Sequence, residues 1–251
     1  MSDDGVGDGI LAQGPAQKSS GSFPLVELRQ YTLHEGMRDR LIALFEQEFI
    51  ESQEALGMKV IGTFTDLDRP DHFVWLRGFR DMASRLEGLT SFYSGETWLA
   101  HRNDANTTMI DSDNVLLLRA PHPSAEFPVA GSRPALGEMA GGSLIVATIE
   151  YLEESVEAAL EVFEAAVKPR LGACGIRPIA FFVPETSAND FPRLPVREGE
   201  HVLVWFARFR DTLDHRRCED GVNDASAMLA SLRARPPEIL RLLPTMRSEL
   251  R

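Results

Sequence analysis

The chain is written twice, and that repeat limits what it can fold into more than any other feature. A shift of 118 residues sets Met37–Phe64 over Ser155–Phe182. Phe45 then meets Phe163, Gly57 meets Gly175, Ile61 meets Ile179 and Phe64 meets Phe182. Further on the shift is 130, so that Trp75, Phe79, Arg80 and Asp81 meet Trp205, Phe209, Arg210 and Asp211. The 12 extra residues fall in the Pro-rich stretch Pro184–Glu198, which reads as a surface-loop insertion.

Both halves carry the same element order. Leu25–Leu33 alternates as a strand does. Met37, Leu41, Leu44, Phe45, Phe49, Ser52 and Leu56 trace one helical face, which Gly57 ends. Met58–Thr65 and His72–Arg80 read as strands, Asp81–Tyr93 and Glu96–Asn106 as helices, and Asn114–Ala120 as a closing strand. The order βαββαβ is that of the ferredoxin-like plait, an antiparallel sheet with helices on one face. Two plaits in one chain let two open sheet faces meet. The expected fold class is α+β: two tandem ferredoxin-like βαββαβ repeats forming a pseudo-dimeric α/β barrel, with room for a ligand between the sheets. The expected division is a disordered tail over residues 1–22, a first plait over 23–120, a Pro- and Gly-rich linker over 121–142 and a divergent second plait over 143–251.

Composition narrows the function. Lysine and arginine number 26 against 38 acids, a net charge of −12. That balance argues against a nucleic-acid partner and against adhesion to an anionic membrane. No apolar run reaches membrane-spanning length, and residues 1–22 lack a signal- or transit-peptide pattern. Two cysteines, Cys174 and Cys218, imply reduced thiols in a cytoplasmic protein. There is no CxxC, GxSxG, GxGxxG or P-loop, and the six histidines are scattered. No metal and no cofactor are implied by these residues. The expected partner is a small molecule, with homo-oligomers left open.

Glu27-Leu28-Arg29-Gln30-Tyr31-Thr32-Leu33 followed by Gly36 resembles the opening signature of the NIPSNAP family, within the dimeric α/β-barrel superfamily. Phe73–Phe79, Phe92–Arg102, Ala105-Asn106 and Met109–Asp113 extend the resemblance to about residues 24–120. Trp75 and Arg77 stand where many family members carry His and Trp, so no family role transfers to them. The resemblance implies the barrel fold. Relatives in the superfamily include cofactor-free monooxygenases, isomerases, cyclases, haem-degrading enzymes and plain binders. The expectation is therefore a barrel that binds a small anionic or aromatic metabolite, as a cofactor-free monooxygenase, isomerase or cyclase. The alternative is a non-catalytic small-molecule or haem-binding barrel, or an assembly partner.

Strand alternation suggests which side chains do this. Val26 and Leu28 are assigned to the helix-covered face, and Glu27, Arg29 and Tyr31 to the barrel interior. Trp75 and Arg77 follow them inward. Aligned at the 118-residue shift, Glu27, Arg29 and Tyr31 lie opposite Ile145, Ala147 and Ile149, and at the 130-residue shift Arg77 lies opposite Ala207. The charged wall is then confined to the first half, and Arg29 with Arg77 would hold a ligand's anionic group. Trp98, His101 and Arg102 share a helical face at spacings of i, i+3 and i+4. His101 is the candidate general base and Tyr31 a candidate proton donor. Trp75, Tyr93, Trp98, Arg102 and Asn106 are candidate substrate contacts beside the two arginines.

Overall fold

The computed structural model describes residues 21–128, 133–138 and 141–251; the tail expected over residues 1–22 falls outside them but for Gly21 and Ser22. The first half runs β1 (Leu25–Leu33), α1 (Arg38–Leu44), a π-helical turn (Phe45–Phe49), α2 (Ile50–Glu54), β2 (Lys59–Asp66), β3 (His72–Phe79), α3 (Met82–Ser94), α4 (Glu96–Asn106) and β4 (Met109–Arg119). The second runs β5 (Leu144–Tyr151), α5 (Val156–Val162), a π turn (Phe163–Val167), α6 (Lys168–Ala173), β6 (Pro178–Pro184), β7 (Val202–Phe209), α7 (Thr212–Ser226), a 3-10 turn (Ala227–Leu232) and β8 (Glu238–Pro244).

The repeat survives at fine grain. The two π turns start 118 residues apart, and Gly57 and Gly175 end the two helices with φ of 80° and 78°. That left-handed conformation suits glycine at a helix C-terminus. A bulge interrupts β2 between Val60 and Gly62, and another interrupts β6 between Pro178 and Ala180. Asp81 and Asp211 each cap the following helix by accepting from the backbone N–H three residues on.

The strands close into an antiparallel barrel in the order β1-β3-β2-β8-β5-β7-β6-β4. Each half contributes four neighbouring strands in plait order, and the halves join where β2 meets β8 and β4 meets β6. The interior is packed. Val26, Leu28, Val74, Leu76 and Leu118 from the first sheet meet Ile145, Ala147, Ile149, Val204 and Phe206 from the second, all fully buried in one cluster. Phe127, between the halves, joins them against Phe182 and Phe206. The ligand space expected between the sheets is therefore filled by side chains.

The face assignment is the reverse of the one expected. Leu25, Tyr31, Phe73, Trp75 and Phe79 cluster with Leu41, Phe45, Phe49 and Leu89 of the helices. Residues directly paired across antiparallel strands share a face. Glu27 pairs with Arg77 and Arg29 with Trp75, so both arginines lie under the helices. The physical reason is that the middle of the barrel interior is filled by aliphatic and aromatic groups from both sheets, whereas the helix-covered face can hold polar groups bonded to the helices. Alternation alone gives the two faces and not their sides.

The strand alignment shifts by one residue as well. Thr148 pairs with Trp205 as Arg29 pairs with Trp75, so β1 and β5 correspond at 119 residues. Glu27, Arg29 and Tyr31 then match Val146, Thr148 and Glu150. The extra residue in the first half lies beyond the paired strand, in the turn between Thr32 and Met37, since Thr32 and Tyr151 still correspond at 119 and the helix N-caps Met37 and Ser155 at 118.

A fragment of residues 1–125 would bare Val26, Leu28, Val74, Leu76 and Leu118, each worth about 1.5–3 kcal/mol of burial. It should dimerise or aggregate in size-exclusion chromatography. A stable, folded monomer would contradict the two-sheet packing.

Candidate functional site

The helix-covered face of the first sheet carries a buried ion cluster. Glu27, Arg29, Arg77 and Arg85 are all fully buried. Glu27 Oε2 accepts from Arg29 Nη1 at 2.9 Å and from Arg77 Nε and Nη2 at 3.0 and 2.6 Å. Its Oε1 accepts from Arg85 Nε at 2.8 Å. One carboxylate thus serves three guanidinium groups. Burial alone would raise the Glu27 carboxyl, but Arg77, Arg29 and Arg85 outweigh it and hold the group well below the usual carboxylate range.

The helix above completes the cluster. From α2, just after the π turn, Gln53 Nε2 donates to the Phe49 carbonyl at 2.8 Å, and Gln53 Oε1 accepts from Arg77 Nη1 at 2.9 Å. A π turn is a recurrent feature of functional sites. Here it places Gln53 to fix Arg77. Arg29 Nε donates to the Tyr31 hydroxyl at 3.0 Å, and both Arg29 and Arg77 lie over the Trp75 ring, at 5.6 and 4.9 Å from its centroid.

Two adjoining cavities open from this cluster toward solvent. The inner one, about 40 Å³, is walled by Phe45, Phe49, Gln53, Trp75, Arg77 and Phe92. The outer one, about 300 Å³, is bordered by Arg102, Asn106, Ser112, Phe191, Arg193 and Leu194. Tyr31, Tyr93, Trp98 and Met109 border both. The outer volume lies in the range of small-molecule pockets. The inner one has room for a few atoms only. The indole N–H groups of Trp75 and its counterpart Trp205 are both buried without a partner among the described residues; Trp75 is the one of the pair that borders these cavities.

The lining is one-sided in charge. Arg77, Arg102 and Arg193 contribute guanidinium groups, and no aspartate, glutamate or histidine among the described residues borders either cavity. Burial pushes the Tyr93 phenol up, against the pull of Arg77, so Tyr93 remains a proton donor at neutral pH. The Tyr31 oxygen accepts from Arg29, which leaves its own proton free to donate.

The structure gathers Tyr31, Trp75, Arg77, Tyr93, Trp98, Arg102 and Asn106 around these cavities. Arg29 stands behind them, bonded to Glu27 and Tyr31. His101 borders neither cavity. It is half-buried, with Nε2 3.5 Å from Glu48 Oε2 on the π turn. On α4, Trp98 and Arg102 at i, i+4 line the cavity, while His101 is turned aside by its angular step. The expectation of His101 as general base is corrected accordingly.

Four contributors escaped the sequence reading. Gln53 and Arg85 belong to helices read only for their apolar residues. Phe191 and Arg193 belong to the inserted loop of the second half, which folds across the first half's site. Arg85 Nη1 donates to Asn189 Oδ1 at 3.1 Å and is paired with Asp190, fixing that loop. Phe191 stacks on Tyr93 with ring centroids 5.7 Å apart. A signal for two of them exists in the repeat: Gln53 and Arg85 lie opposite Leu171 and His215. Ser124, which lies in no GxSxG setting, is bonded to His122 at 2.9 Å, and His122 to Glu164 at 2.9 Å; none of the three borders either cavity.

The NIPSNAP family profile matches residues 26–122. Among solved structures, the chain is similar to an anthrone oxidase-like protein, with a TM-score of 0.57 at 11% identity over 90% of this chain and 93% of that one. It is similar to provisionally assigned monooxygenases from Lactobacillus acidophilus (TM-score 0.54, 12% identity, 88% and 94% covered) and Fusobacterium nucleatum (0.57, 9%, 89% and 93%). These likenesses establish the fold across both halves. No curated protein matches the chain.

Glu27→Gln should lower stability by about 3–5 kcal/mol, since it leaves three buried guanidinium groups without their counter-charge. The folded carboxyl lies below its ordinary value of 4.5. Its contribution is therefore complete above that value and lost as pH falls below it. Urea melts at pH 7 and in the acid range test this. Equal midpoints for parent and variant at pH 7 would contradict it.

Proposed function

We propose that this chain, whose residues 26–122 match the NIPSNAP family profile, binds an aromatic molecule in the first half's cavities and stabilises its conjugate base. The single observation that carries this is the charge of the lining: guanidinium and phenol groups surround the space, and no base or acid residue among those described borders it. A site so built favours the ionised form of a phenol or an enolisable ketone. The aromatic ring fits the outer cavity among Tyr93, Trp98 and Phe191. The oxygen-bearing edge fits the inner one, where Arg77, Trp75 Nε1 and the tyrosine hydroxyls supply donors.

Glu27 is not the base. It is buried behind the arginines and held ionised by them. The site acts by lowering the cost of ionisation, and solvent takes the proton. The bound anion is electron-rich and can reduce dioxygen directly. In the simplest balance a methylene group and O₂ give a carbonyl and water, with no external reductant. The likeness to an anthrone oxidase-like fold supports this reaction over isomerisation or cyclisation, which would use the same stabilised anion.

Bound 4-nitrophenol should ionise at lower pH than the free dye, by about one unit for each 1.36 kcal/mol of preference. Absorbance titration with saturating protein measures this. Oxygen uptake with dihydroxynaphthalenes tests the redox step. Tyr93→Phe should slow that uptake about 10-fold or more by removing a donor, and His101→Gln should leave it unchanged. Binding with no downward shift would contradict anion stabilisation. A shift without oxygen uptake would restrict the function to binding or isomerisation.

A further inference from the structure

The outer cavity carries more positive charge than an oxyanion in the inner cavity uses. Arg102 extends from α4 of the first half and Arg193 from the inserted loop of the second. Both border the outer cavity, together with Asn106 and Ser112. Neither guanidinium has a carboxylate within 4 Å among the described residues, in a chain with 38 acids against 26 bases. The acid closest to Arg193 in its loop, Asp190, is turned inward and held by Arg85. Arg193 is instead steadied over the Phe191 ring, 6.0 Å from its centroid.

We propose that Arg102 and Arg193 form a clamp for a second, carboxylate group on the ligand. This rests on reading the two cavities as one ligand site. The substrate class is then an aromatic acid: phenolic or enolic oxygen at one edge, carboxylate at the other. The inner oxygen meets the buried donors of the first half. The carboxylate is gripped across the mouth by one arginine from each half, each able to offer a paired N–H fork. The second half thereby becomes part of the binding site, although beneath its own helices the buried carboxylate Glu150 is already paired with Arg233 and Ser226. The clamp also explains why the inserted loop carries an arginine out to the cavity rim while its acids Glu185, Asp190 and Glu198 are engaged by Arg119, Arg85 and the Asn189 backbone.

The test is a comparison of probes on the full chain. Titration calorimetry would measure 2-naphthol, 6-hydroxy-2-naphthoate and 6-hydroxynaphthalene-2-sulfonate. The parent should bind the carboxylate at least about 10-fold tighter than 2-naphthol, an advantage that shrinks as salt rises. Arg102→Gln and Arg193→Gln should each remove most of that advantage, weakening carboxylate binding several-fold more than 2-naphthol binding. A sulfonate bound as well as the carboxylate would support charge recognition without a fork preference and overturn the carboxylate assignment. Equal binding of naphthol and hydroxynaphthoate by the parent, or an undiminished preference in both variants, would overturn the clamp. Failure of all three probes to bind would instead defeat the ligand site on which the clamp rests.

Discussion

The site depends on one carboxylate shared by three arginines. Glu27 accepts from Arg29, Arg77 and Arg85, one on its own strand, one on the neighbouring strand and one on the helix above. Sheet and helix layer are thus tied at a point where packing alone would have used apolar side chains. Each charge is costly to bury by itself and tolerable only because the others are there. The surplus of positive charge is what gives the adjoining cavity its character. Arg85 extends the same network outward, since its pairing with Asp190 holds the second half's loop across the first half's pocket.

The second half shows what the fold does without this cluster. Val146, Thr148, Leu171 and Ala207 occupy the places of Glu27, Arg29, Gln53 and Arg77. Trp205 packs against Phe163 there, and the layer under the helices joins the main hydrophobic cluster. Both halves keep the π turn, the bulge and the glycine helix end. Those features therefore belong to the plait, and the ion cluster belongs to the site. One plait carries the ion cluster and most of the cavity lining, and the other supplies the facing sheet and the covering loop.

Much of this was legible in the residues. The repeat, the element order and the barrel follow from spacings that the π turns and the β3–β7 correspondence keep, with β1 and β5 displaced by one residue. Most of the aromatic and charged candidates of the first half do meet around one space. What alternation could not supply was the side of the sheet on which Glu27, Arg29 and Arg77 lie, because a strand's two faces are symmetric in sequence. The strand alignment slipped by one because the turn between Thr32 and Met37 is one residue longer than its counterpart, and apolar matching to Ile145, Ala147 and Ile149 conceals it. Loop residues such as Phe191 and Arg193 carry no periodicity and so gave no sign of their destination.

The central claim is positional: the ligand sits between the first sheet and its helices. A crystal structure with 6-bromo-2-naphthol, located by the anomalous signal of bromine, tests it most directly. The ring should lie among Tyr93, Trp98 and Phe191, with its oxygen toward Arg77 and Trp75. Bromine within the barrel interior, or beneath the helices of the second half, would contradict the account.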